Sequence, residues 1–203
     1  GAGQWGKNHI RTLDKLNALK GIVEPDLDVL HKFLHKYPGV SGHTDLSEAL
    51  KEEYDGFTVA THAKTYFSVA KEIIQSGKHV LVEKPMALSV SDAEELLRLA
   101  EEYNVNLLVG HLLLFHPAII KIKELIDTGK IGTLQYLYSN RLNLGKVRTE
   151  ENVFWSLAPH DIAIFQYLTD SFPVRIQATG TTFLQKGIPD STLTHLNYKN
   201  GIK

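Results

Sequence analysis

The chain has 203 residues, long enough to bury a good core as one large domain or two smaller ones. Its 22 basic and 23 acidic residues leave a formal net charge of −1, so no field draws in nucleic acid or an anionic membrane, and neither is expected as a main partner. There is no cysteine, which excludes disulfides, thiolate metal sites and cysteine nucleophiles and agrees with a reducing, cytoplasmic setting.

The segment Gly1-Ala2-Gly3-Gln4-Trp5-Gly6 opens the chain, and Ile10, Leu13 and Leu16 follow it at helical spacing. A glycine loop of this form needs a buried strand directly before it, so the sequence is expected to continue in front of Gly1. Residues 19–24 read as a short buried strand and 26–37 as a helix that Pro38-Gly39 stops. Asp45-Leu46-Ser47-Glu48 has the form of a capping box. Residues 57–61 then read as a strand, 64–75 as a helix, and 78–83 as a strand. Ser89 or Ser91 caps a helix through Tyr103, and 105–109 is a further strand. Strands alternating with helices in this way predict a doubly wound parallel sheet, an α/β fold whose first strand lies outside the sequence. The apolar stretch 105–120 is broken by Asn106, Gly110, His111, His116 and Pro117, so it does not read as a bilayer span.

The rhythm changes after Pro117. A helix is predicted over 118–127, a longer alternating strand over 133–143, a loop from Gly145 to Asn152, a helix starting at Pro159, and strands over 174–184 and 192–198. This predicts two domains, a Rossmann domain over 1–115 and an α+β domain over 116–203. Asn200-Gly201-Ile202-Lys203 reads as a turn leading into another strand, so more sheet is expected beyond it.

Several groups of residues carry chemistry. Gly1, Gly3 and Gly6, with Gln4 and Trp5 between them, would let the backbone approach a pyrophosphate at a helix N-terminus. Glu24 closes the next predicted strand, where an acid accepts hydrogen bonds from ribose hydroxyls. The residues after it, Pro25, Asp26, Leu27 and Asp28, include no cation for a 2′-phosphate, which favours NAD over NADP. Thr61 and His62 end a strand at the switch-point crevice and suit a contact with the nicotinamide half, although a satisfied loop histidine explains His62 equally well. In Glu83-Lys84-Pro85, proline restricts the residue before it and holds Lys84 at a strand's carboxyl end. Oxidising a secondary alcohol needs a base, and histidine's pKa suits that task near neutrality. His160 after Pro159 is the candidate, and its placement at a predicted helix start would favour the neutral ring. A helix-capping histidine is the competing reading. His31 and His35 stand at i, i+4 spacing, but no third ligand joins them, so no metal site is predicted.

These groups, in this order, resemble the glucose-fructose oxidoreductase, inositol dehydrogenase and rhizopine-catabolism family, Gfo/Idh/MocA. Gly110-His111, Phe115-His116-Pro117 and Ile126-Asp127-Thr128-Gly129-Lys130-Ile131-Gly132 extend the likeness over nearly the whole chain. The resemblance implies a C-terminal domain on a large, mostly antiparallel sheet that lines a sugar site and mediates oligomerisation, giving a homo-oligomer, a dimer or tetramer. It implies that Lys84 is the family's lysine, contacting cofactor and substrate with Glu83 beside it, and that His160 is its proton-transferring histidine. Trp155 is expected as a wall of the nicotinamide pocket. The implied activity is NAD(P)-dependent oxidation of a sugar or nucleotide-sugar. The chain departs from the family's pattern at Ser156, where an aspartate often stands, at His62 and Tyr66, and at Leu114. Those departures motivate a second reading, a catalytically silent NAD-binding sensor or interaction module.

Overall fold

The computed structural model describes residues 1–142, 151–199 and 201–202. The chain separates into two compact units, Gly1–Gly110 and His111–Lys203.

The first unit alternates helix and strand: α1 (Gly6–Lys15), β1 (Gly21–Val23), α2 (Leu27–Lys36), β2 (Ser41–His43), α3 (Leu46–Ala49), β3 (Gly56–Val59), α4 (Ala63–Gln75), β4 (His79–Val82), α5 (Val90–Glu102) and β5 (Leu107–Val109). All strand pairings in it are parallel, β1 with β2, β3 with β4, and β4 with β5. The helix starts follow local capping chemistry. The Asp26 side chain accepts from the N–H groups of Asp28 and Val29, Asp45 from Ser47, and Ser89 from Asp92. β2 is a strand that the sequence pattern did not announce, because Ser41-Gly42-His43 buries only His43 and carries no alternation.

Apolar burial falls into two clusters. Val59, Tyr66, Ala70, Ile73, Ile74, Val80, Val82, Leu96, Leu99 and Ala100 close β3, β4, α4 and α5 together. Ala2, Ile10, Ile22, Leu30 and Tyr37 close the glycine loop, α1, β1 and α2. The second cluster holds the loop in place, since Ala2 is its first member and is 4% exposed.

The second unit contains a 3-10 turn at Leu112–Phe115, α6 (Pro117–Asp127), α7 (Val153–Thr169), β6 (Pro173–Thr181) and β7 (Ser191–Tyr198). β6 and β7 pair antiparallel, from Pro173↔Tyr198 to Thr181↔Ser191. The molecule is therefore α/β with a parallel Rossmann-like sheet and a C-terminal antiparallel sheet. Among the described residues no helix is long and apolar enough to cross a membrane.

Two expectations are corrected here. Residues 133–142 form no strand, although their residues alternate; alternation sets which face is apolar, but a strand also needs a hydrogen-bonded neighbour. Asn143 and most of the predicted loop 145–152 lie outside the described residues, as do Asn200 and Lys203. In addition, α7 begins at Val153 rather than at Pro159. The side chain of Asn152 accepts from the N–H of Trp155 and starts the helix at Val153, ahead of Pro159, leaving the proline inside it.

Candidate active site

The glycine loop lies between the carboxyl ends of β1 and β3. The Ala2 N–H donates to Glu24 Oε2 at 2.7 Å, and a Cβ on Gly1 would come within 3.3 Å of the Ala60 carbonyl oxygen and 3.2 Å of a Thr61 methyl. This is where the parallel strands diverge, the position at which doubly wound sheets take their ligands. Gly6 is demanded by close approach, because a Cβ there would stand 2.0 Å from the Gly1 carbonyl oxygen. At Gly3 a Cβ would meet nothing within 4 Å, so that face of the loop packs against no atom of the described residues. α1 has no acidic residue in its first turn and no side chain that caps it. An uncapped helix start behind an open glycine turn suits a phosphate group, and this is the fit expected for a dinucleotide.

Glu24 follows the last residue of β1 and accepts a second bond from the Asp26 N–H at 3.2 Å. Its carboxylate is thus fixed at the loop's edge by two backbone donors. Thr61 pairs its hydroxyl with Thr65 at 2.8 Å, and His62 is the exposed N-cap residue of α4 without a side-chain bond to the helix. Gln4 is exposed on the loop. Tyr66, one of the departures from the family pattern, is a core residue at 7% exposure.

β4 ends at Val82, and Glu83, Lys84 and Pro85 continue it as a turn in which the Lys84–Pro85 peptide is cis. Lys84 is half-buried. Glu83 is 3% exposed and accepts from the Trp5 indole N–H and from His9, whose Nε2 lies 2.7 Å away. Burial pushes the Glu83 carboxyl up, but hydrogen bonds from His9 and Trp5, the His9 charge and the Lys84 N–H outweigh it and hold the group below the usual carboxylate range. Trp5 and His9 are 78 and 74 residues from Glu83, a separation that no sequence spacing reveals.

In the second unit, His160 lies half-buried in the middle of α7. The expectation that a helix N-terminus would favour its neutral form is therefore wrong, since the dipole acts only within the first turn. Trp155 stands in that first turn, 38% exposed, and Ser156 is buried at 7%. Beside His160, Asp161 receives a two-pronged bond from Arg141, at 2.7 Å from Nε and 2.9 Å from a terminal nitrogen, and a third from the Ser139 hydroxyl at 2.8 Å. This ties the 133–142 segment to α7 and was not legible in the sequence.

Burial raises the Asp161 carboxyl, and the bonds from Arg141 and Ser139, with the Arg141 and His160 charges, bring it below its ordinary value. A lowered folded pKa means stability that is present above the unfolded value of about 3.9 and lost as pH falls through the folded one. Arg141→Ala is expected to lower stability at pH 7 by about 1 kcal/mol and to flatten its decline below about pH 4, read by urea melts across pH. Among the described residues no group of three or more His, Asp or Glu could hold a metal ion.

An open glycine turn at the divergence of parallel strands, with an acid closing the neighbouring strand, defines the dinucleotide-binding class of α/β proteins. Residues 1–111 match the NAD-binding Rossmann fold of the GFO/IDH/MocA oxidoreductase family and residues 119–203 match the GFO/IDH/MocA C-terminal domain, so the chain belongs to this family. It is 28% identical over 186 residues to UDP-N-acetylglucosamine 3-dehydrogenase of Acidithiobacillus ferrooxidans, which covers 89% of this chain and 56% of that protein. It is 24% identical over 201 residues to the rhizopine catabolism protein MocA of Rhizobium meliloti, covering 94% and 63%. The solved structure of the A. ferrooxidans dehydrogenase matches 100% of this chain and 65% of its own with a TM-score of 0.89 and 26% identity. The chain thus spans less than two thirds of the length of these relatives.

Proposed function

We propose that the protein is an NAD-dependent dehydrogenase that oxidises a secondary alcohol of a sugar or nucleotide-linked sugar. The observation that carries this reading is the glycine loop held between β1 and β3 with Glu24 at its edge. The likeness to a UDP-N-acetylglucosamine 3-dehydrogenase supports the nucleotide-sugar class. A homo-oligomeric, cytoplasmic enzyme belongs to the same reading.

In this reading Gly1, Gly3, Gln4, Trp5 and Gly6 form the pyrophosphate loop, Glu24 takes the adenosine ribose, and Thr61, His62 and Trp155 border the nicotinamide. A bound nicotinamide dinucleotide supplies the hydride acceptor. His160 takes the proton of the substrate hydroxyl as the carbon is oxidised. Lys84 donates a hydrogen bond to the same oxygen, stabilising its developing negative charge and easing proton loss.

The choice of NAD rests on Glu24, whose charge would repel a 2′-phosphate and whose oxygens accept from hydroxyls. Fluorescence titration with NADH and NADPH is expected to show at least tenfold tighter binding of NADH. Glu24→Ala should narrow that preference by weakening NADH about tenfold, the scale of a lost hydrogen bond to a charged acceptor. Equal binding of both nucleotides by the unaltered protein would reject the assignment.

A further inference from the structure

A carboxylate is costly to bury unless donors surround it, and Glu83 is the most deeply buried charged side chain beside the proposed site, at 3% exposure. Its donors come from three places. The Trp5 indole N–H belongs to the residue just before α1, and His9 Nε2, at 2.7 Å, belongs to α1 itself. The third donor is the backbone N–H of Lys84, 3.3 Å from Oε2. The main chain is pinned as well, because the Glu83 N–H donates to the Val59 carbonyl at 3.0 Å at the end of β3. Opposite, a Cβ on Gly110 would come 3.0 Å from the carboxyl carbon, so any side chain after β5 would push on the group by a few tenths of an ångström.

We propose that Glu83 is a positioning residue that couples the glycine loop to Lys84, so that the loop's arrangement sets where the lysine stands. One carboxylate oxygen, Oε1, holds the two loop-side donors and the other, Oε2, holds the lysine's own amide. A displacement of Trp5 or His9 therefore reaches Lys84 through a single rigid planar group. The bonds also keep the carboxyl ionised, so its charge is present for all three donors at neutral pH. In this arrangement the Trp5 indole N–H is directed at Glu83, and Trp5 serves the loop by anchoring it while its ring stays 46% exposed. This inference rests on the dehydrogenase reading above, in which Lys84 touches the substrate oxygen.

The test uses Glu83→Gln and Trp5→Phe in the intact protein. A carboxamide keeps the shape of Glu83 but turns one acceptor into a donor that faces donors, and Trp5→Phe removes one indole N–H while keeping a ring. We expect Glu83→Gln to weaken NADH about tenfold and to lower kcat about ten- to a hundredfold with the sugar KM unchanged, as loss of a charge-assisted bond implies. Trp5→Phe should act in the same direction by about three- to tenfold. In a Lys84→Met background, Glu83→Gln should cost nothing further in kcat, since its effect passes through the lysine. A readout free of cofactor and substrate is the backbone amide resonance of Lys84, which should shift in Trp5→Phe although the two residues are 79 apart. Variants that melt earlier but keep kcat, NADH affinity and the Lys84 resonance would reduce Glu83 to a core polar group and overturn the inference. Should Glu83→Gln fail to fold, the Trp5→Phe resonance and kcat decide alone. If the unaltered protein binds NADH and neither variant changes, this inference alone falls; if it binds neither nucleotide, the dehydrogenase reading falls and this one with it.

Discussion

Lys84→Met is expected to lower kcat by roughly a thousandfold, in line with removal of the group proposed to orient and polarise the reacting oxygen. Methionine keeps the length and apolar stem of lysine and removes only the charged head, so the loss reports on chemistry rather than packing. Lys84 is half-buried in a turn after β4, outside both apolar clusters, so the melting temperature should stay within a few degrees. NADH affinity should fall by less than about tenfold, because the pyrophosphate loop and Glu24 are untouched. Steady-state kinetics on a sugar or nucleotide-sugar of the proposed substrate class, beside an NADH titration, separate these quantities. Lys84→Arg keeps the charge but replaces a compact ammonium by a planar fork, and should recover only part of the loss. Full turnover in Lys84→Met would remove the lysine from the reaction.

What the sequence made legible was local chemistry. Glycines at 1, 3 and 6, an acid after a short apolar run, and a lysine before proline each restrict the backbone where they stand, and the structure places loop and acid together. The family resemblance extended this to the second unit, and both units match the family's domains. What the sequence hid was long-range. The convergence of Trp5 and His9 on Glu83 links residues more than 70 apart, and nothing in their spacing favours one partner over another. The Arg141–Asp161 bond is hidden in the same way. The sequence pattern predicts a helix start at Pro159, but the Asn152 side chain caps the helix ahead of it and the proline lies inside. His160 therefore lies mid-helix rather than at a helix start, where no dipole favours its neutral form, and the proposal that it is the base rests on the family resemblance. The alternation over 133–142 described a sheet-like face without its pairing neighbour.

Gly6→Ala and Gly3→Ala form a pair whose contrast tests the loop directly. At Gly6 the new methyl would meet the Gly1 carbonyl oxygen at 2.0 Å and its carbon at 2.9 Å, both backbone atoms, so no side-chain rotation can relieve the overlap. The loop must open by more than about 1 Å to reach ordinary contact distance, and a misplacement of that size costs on the order of a hundredfold in a preorganised site. Because the loop is sealed by Ala2 and Ile10 in the second apolar cluster, opening it also disturbs packing. Gly6→Ala is therefore expected to weaken NADH by at least a hundredfold and to destabilise the fold by about 1–3 kcal/mol, the range for overpacked sites. At Gly3 the same methyl would meet no atom of the described residues within 4 Å, so stability should be unchanged. Its methyl would stand on the face proposed to take the pyrophosphate, so NADH should still weaken, by roughly tenfold or more. Thermal melts and NADH titrations on both variants give four numbers, and the proposed loop requires affinity lost in both with stability lost only in the first. Unchanged NADH binding in Gly3→Ala would mean that the open face of this turn does not meet the cofactor.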